Sequence, residues 1–100
     1  MIDDPHIDSL REEIDTIDND LLQLLARRLH VVHRVGDHKR EKGLHVFDPN
    51  REEKLLRKLV HAAPDAFDEQ SVRNIFAAIV GECRRLEGVA MAQERKDASE

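Results

Sequence analysis

Residues 7–35 read IDSLREEIDTIDNDLLQLLARRLHVVHRV. Apolar side chains fall at Ile7, Leu10, Ile14, Ile17, Leu21 and Leu24, in alternating steps of three and four, and Val31 and Val35 resume the series. That is the period of an α-helix with one apolar face; a strand would alternate every second residue. Pro5 and Asp8 suit a helix start, and Gly43 suits its end. The spacing predicts one helix of about 35 residues, roughly 50 Å long at 1.5 Å per residue. The rest of the chain is too short to cover such a face by folding back on it, which points to a second copy as its partner. One position breaks the pattern. Arg28 stands where the period asks for a leucine.

Beyond the long helix the chain continues GLHVFDPNREEKLLRKLVHAAPDAFD over residues 43–68. Asp48 followed by Pro49 reads as an N-cap and a first-turn proline, so a second helix starts there. Leu55, Leu56, Leu59 and Val60 give it an apolar face, and Pro64 ends it. Asp68 can cap a third helix with the stripe Val72, Ile75, Phe76, Ile79, Val80, Cys83 and Leu86, which Gly88 is expected to end. The last ten residues, MAQERKDASE, carry no packing stripe, and 89–100 are expected to fray. The expected fold is all-α with three helices per chain, one long and N-terminal and two shorter, in an intertwined helical homodimer. Residues 1–100 form a single domain in this reading, with its core at about 7–87.

Composition narrows the function classes. Only 40% of the 100 residues are hydrophobic, with three Phe and neither Trp nor Tyr. A core that small is marginal alone, which again favours association. Asp and Glu number 21 against 16 Lys and Arg, net −5. An acidic chain with few aromatics lacks the basic stripe and stacking surfaces that nucleic acids need. Cys83 is the single cysteine, so there is no disulfide framework and a reducing compartment is expected. No apolar run is long enough to span a membrane and no signal-peptide pattern opens the chain, so the expectation is a cytoplasmic protein.

Cations that matter in such a chain must be placed one by one. Arg28 and Lys39 are eleven residues apart, close to three helical turns. They share a face, roughly 16 Å apart along the axis, and can hold a small anion between them. Arg11 lies 17 residues before Arg28, roughly 25 Å away on another face, where only an antiparallel partner's copy can join the same site. Arg51 and Glu52 fall in the first turn of the second helix, where free backbone N–H groups add positive potential. Glu87 extends the inward stripe of the third helix, where a carboxyl group must keep its proton or find a cation.

Each residue also has an ordinary reading. Arg28 can snorkel or pair with a carboxylate. Lys39, Arg51 and Glu52 can be solvated helix surface, Glu87 an exposed helix end, and Arg11 an intrahelical partner of Glu12 or Asp15. Cys83 on an apolar stripe reads more simply as a packed residue than as a nucleophile. His30, His33, Asp37 and His38 lie near one another but match no metal-binding motif, so no metal is expected.

Taken in order, IDSLREEIDTIDNDLLQLLARR, VGDHK, VFDPNREEKLL and IFAAIVGECRRLE resemble the all-helical chorismate mutases, in the form found free-standing or fused to prephenate dehydratase in bacteria. The resemblance runs from about Ile7 to Glu87. It implies a cofactor-free [3,3] rearrangement of chorismate to prephenate, the step toward phenylalanine and tyrosine, in an intertwined dimer with two active sites. It further implies that Arg28, with Arg11 donated by the partner chain, binds the two substrate carboxylates. Lys39 would bind the ether oxygen whose bond breaks, and Glu87 would take the second position there. Glu52 would receive the ring hydroxyl, with Asp48 nearby at the helix cap. Arg51 would support the Lys39 and Glu52 region, Val35 would pack on the ring, and Cys83 would stand where some members carry Ser.

The chemistry suits these residue types. The rearrangement is intramolecular and needs no nucleophile. The protein must hold a compact dianion and stabilise negative charge growing on the ether oxygen. Guanidinium forks match carboxylates, and a preorganised cation at the ether oxygen lowers the barrier. Arg28 then interrupts the seam because a binding cavity does. At the same oxygen an ionised Glu87 would repel the developing charge, so a useful Glu87 carries its proton. Two alternatives remain at this level. An isochorismate-pyruvate lyase has a closely related site, and a non-catalytic helical module would act by binding other aromatic-pathway enzymes.

Overall fold

The structure, a computed structural model, describes residues 4–45 and 47–98; Val46 of the quoted VFDPNREEKLL and the end of the expected tail at 99–100 lie outside the described residues. Three helices follow one another: α1 (Pro5–Glu41), α2 (Pro49–Ala62) and α3 (Glu69–Ala98). The described residues contain no strand. All-α with one long N-terminal helix is therefore the observed class, although α3, at 30 residues, is not much shorter than α1 at 37.

Helix starts follow side-chain chemistry. Asp4, which the sequence reading passed over for Pro5 and Asp8, caps α1 by accepting from the backbone N–H of His6 at 2.9 Å and of Ile7 at 3.4 Å. Asp48 has extended backbone and accepts from Arg51 N–H at 3.2 Å, with Pro49 following. Asp68 accepts from Ser71 N–H at 2.7 Å at the start of α3. Each carboxylate satisfies a donor that the first helical turn leaves open.

The end of α1 is a backbone lock. Gly43 takes φ +69, a conformation that favours glycine. Leu44 N–H then donates to Lys39 C=O at 2.8 Å and Gly43 N–H to Arg40 C=O at 3.1 Å, the paired bonds of a Schellman ending. Gly88 behaves otherwise. It does not end α3, which runs ten residues further to Ala98, so the tail expected to fray is helical as far as it is described. A glycine within a helix costs about 1 kcal/mol relative to alanine. The segment around it, with Ala90, Met91, Ala92, Gln93, Glu94, Arg95 and Lys96, is rich in strong helix formers.

The chain divides into two compact units, Met1–Val32 and His33–Glu100, with the boundary inside α1. In the first, the apolar stripe Ile7, Leu10, Ile14, Ile17, Leu21, Leu24 and Val31 is 45–57% exposed. In the second, α2 packs on α3, and Val72 and Cys83 are the buried apolar side chains among the described residues. Among the described residues, no helix is long and apolar enough to cross a membrane.

Candidate functional site

The last turns of α1 carry Gly36, Asp37, His38, Lys39 and Arg40, and the cations near that end face the negative pole of the helix. Because the Schellman ending holds the carbonyls of Lys39 and Arg40, the backbone under both side chains is fixed. Lys39 is half-buried and Val35 exposed. Across from this segment, α3 supplies Glu87, buried at 8% exposure. Its Oε1 lies 3.5 Å from Arg40 Nη1, and no hydrogen-bond partner reaches that oxygen among the described residues. The cation beside this carboxyl group is Arg40, which the sequence pattern does not single out.

A second cluster surrounds the start of α2. The Glu52 carboxylate pairs with Arg84 of α3, whose guanidinium lies 4.1 Å from the centre of the Phe47 ring. Leu56, Ala77, Val80, Gly81, Glu52 and Arg84 line a cleft of about 100 Å³ between α2 and α3. Small-molecule sites occupy roughly 300–1,000 Å³, so this cleft alone does not enclose a ring-sized dianion. Asp48 spends its carboxylate on the helix cap, Arg51 is exposed, and Cys83 is buried. In the first unit, Arg11 is exposed and Arg28 half-buried on α1. The described residues include no group of three or more His, Cys, Asp or Glu arranged to hold a metal ion.

Beside these, Glu53 clasps the two helices, accepting from Arg73 at 3.2 and 3.3 Å and from Arg57 at 3.2 Å. The Arg73 bonds, then the one from Arg57, hold its carboxyl below the ordinary 4.5. A depressed carboxyl contributes stability that is full above its unfolded value and is lost as pH falls through the lower, folded one. Urea unfolding of the wild type should therefore weaken below about pH 4.5 by more than that of Glu53→Gln, the two curves converging in acid. Parallel curves would show that the clasp carries no stability.

The sequence model of the family described as chorismate mutase type II matches residues 10–88. The chain belongs to that family. A chorismate mutase structure (Form II) from Thermus thermophilus superposes with TM-score 0.79 at 34% identity, covering 83% of this chain and 94% of that one. A bifunctional chorismate mutase/prephenate dehydratase from Aquifex aeolicus is 30% identical over an alignment of 82 positions that covers 78% of this chain but 23% of that protein. A 4-amino-4-deoxychorismate mutase from Streptomyces venezuelae is 28% identical over an alignment of 101 positions, spanning 100% of this chain and 98% of the relative. The chain thus spans about a quarter of the bifunctional relative and nearly all of the other two.

For a chorismate mutase type II chain the named residues fall into two groups. Val35, Lys39, Asp48, Arg51, Glu52, Cys83 and Glu87 belong to the second unit; Arg11 and Arg28 belong to the first. The charged residues that touch Glu52 and Glu87, namely Arg84 and Arg40, were not singled out from the sequence. Arg40 was legible in principle as the neighbour of Lys39. Arg84 was not, because only the packing of α3 on α2 sets it against Glu52.

Proposed function

We propose that this chain is a chorismate mutase, acting as one domain that converts chorismate to prephenate by an electrostatically assisted [3,3] rearrangement. The observation that carries the reading is the family match over residues 10–88, which contains Arg11, Arg28, Lys39, Glu52 and Glu87. Arg28 and a partner's Arg11 take the two carboxylates, and Lys39 and Glu87 take the ether oxygen. Glu52, supported by Asp48 and Arg51, takes the ring substituent, with Val35 and Cys83 along the walls. The exposed stripe of α1 and the small apolar core of the second unit support a homodimer. Fusion of a mutase to prephenate dehydratase in the Aquifex relative supports association with other aromatic-pathway enzymes, and the single cysteine suits the cytoplasm.

A second reading has a specific observation behind it: the Streptomyces relative that spans the whole chain is a 4-amino-4-deoxychorismate mutase. Glu52 weighs against an amine here. Its charge is already countered by Arg84, which leaves a hydrogen-bond acceptor for a neutral hydroxyl but little attraction for an ammonium. Chorismate, 4-amino-4-deoxychorismate and isochorismate assayed side by side, with products identified, test the assignment. Prephenate from chorismate at the highest kcat/KM is expected. Preference for the amine, or release of pyruvate from isochorismate, would replace the reading.

A further inference from the structure

Glu87 does not sit in a generic gap. Two residues of α1 one turn apart, Gly36 and Arg40, face two residues of α3 one turn apart, Glu87 and Met91. Gly36 is buried, and a Cβ added to it would lie 1.9 Å from Glu87 Oε1 and 3.1 Å from Cδ. The carboxyl group therefore occupies the space that any other residue at 36 would fill. Arg40 closes the remaining side. Its Nη1 is 3.5 Å from Glu87 Oε1 and 3.3 Å from Met91 Sδ, while its Nη2 pairs with Asp37. Met91 belongs to the part of α3 that continues past Gly88, so the unexpected extension supplies one wall.

We propose that Gly36 and Arg40 are positioning residues for Glu87, forming a seat that fixes its carboxyl group for the reaction. The proposal rests on the mutase reading. A glutamate side chain on an exposed helix would sample several rotamers, and a reacting group displaced by about 1 Å can lose on the order of a hundredfold in rate. Absence of a Cβ at 36 lets the carboxyl group reach the α1 backbone. The arginine, itself held by Asp37 and Met91, stands beside Oε1 and limits the movement of the carboxyl group on that side. A glycine in a helix interior is otherwise a liability, which makes its presence where the Glu87 carboxyl group meets α1 informative.

The test is a double-mutant cycle on the full chain, read in both kinetics and thermal unfolding. Gly36→Ala should lower kcat toward chorismate by at least about tenfold with KM little changed, since the displaced group acts in the transition state. In the Glu87→Ala background the same substitution should cost nothing further. Arg40→Met should also lower kcat, and Arg40→Lys should recover part of the loss. In unfolding, Gly36→Ala should lower the Tm of the wild type yet raise that of Glu87→Ala, where the space is empty and alanine favours the helix. Equal kinetic losses in both backgrounds, or full activity of Gly36→Ala, would overturn the positioning role. If the wild type leaves chorismate unchanged while the Tm effect still reverses sign, the mutase reading fails and the seat stands. If the sign does not reverse, the seat itself is wrong.

Discussion

Lys39→Ala is expected to reduce the turnover of chorismate by at least about a hundredfold, because one preorganised donor at a developing oxyanion contributes about 3 kcal/mol. In the proposed reaction, negative charge grows on the ether oxygen as its bond to carbon lengthens, while the two carboxylates keep their charge throughout. The interaction of a cation with that oxygen is therefore stronger in the transition state than in the ground state, and its removal lowers kcat more than it raises KM. The substitution leaves the helix ending intact, since the bond from Leu44 N–H to residue 39 uses the backbone carbonyl. An unchanged circular dichroism spectrum should accompany the loss. Lys39→Arg should not restore full activity, because a planar fork does not place its charge where a compact ammonium does. Loss of chorismate absorbance, with prephenate confirmed, measures both variants. A Lys39→Ala protein within a few-fold of the wild type would remove Lys39 from the chemistry.

Arg11→Ala and Arg28→Ala are each expected to be almost inactive, and yet to restore activity when unfolded together and refolded as a mixture. The reason lies in α1. On one straight helix the two arginines are roughly 25 Å apart and on different faces. They can serve one anion only if they come from different chains. A twofold dimer built from the two variants then has one site lacking both arginines and one site with both intact. Random pairing makes about half of the dimers mixed, each with one good site, so an equimolar mixture should recover about a quarter of wild-type activity. Sedimentation or light scattering should show a dimer for both variants alone and for the mixture. If the mixture stays as inactive as its components while dimers form, Arg11 does not act across chains. A wild-type protein that is monomeric at assay concentration and still active would defeat the prediction outright.

Much of this protein is written locally. The alternating threes and fours from Ile7 to Val35 require a long helix, because no other regular backbone conformation brings those side chains to one face. Asp48 with Pro49, and Asp68, announce the starts of α2 and α3 because a cap depends on residues within one turn. The same locality explains the left-handed Gly43 at the end of α1. Gly88 shows a local preference outweighed by its surroundings: it stays inside α3 because the residues around it favour the helix by more than one glycine costs it.

The residues proposed for the site divide along the same line. Arg28 announces itself by breaking the apolar seam, and Glu87 by continuing an apolar stripe with a carboxyl group. Both are anomalies that a one-dimensional pattern can expose. Their surroundings are different. That Arg40 stands beside Glu87, that Gly36 makes room for the carboxyl group, and that Arg84 sits between Glu52 and the Phe47 ring depend on residues far apart in the chain. Period and capping carry no information at that range. Those contacts are decided when α2 and the end of α1 meet α3, because a burial cost on one helix can be met only by whatever charge or space its neighbour presents there.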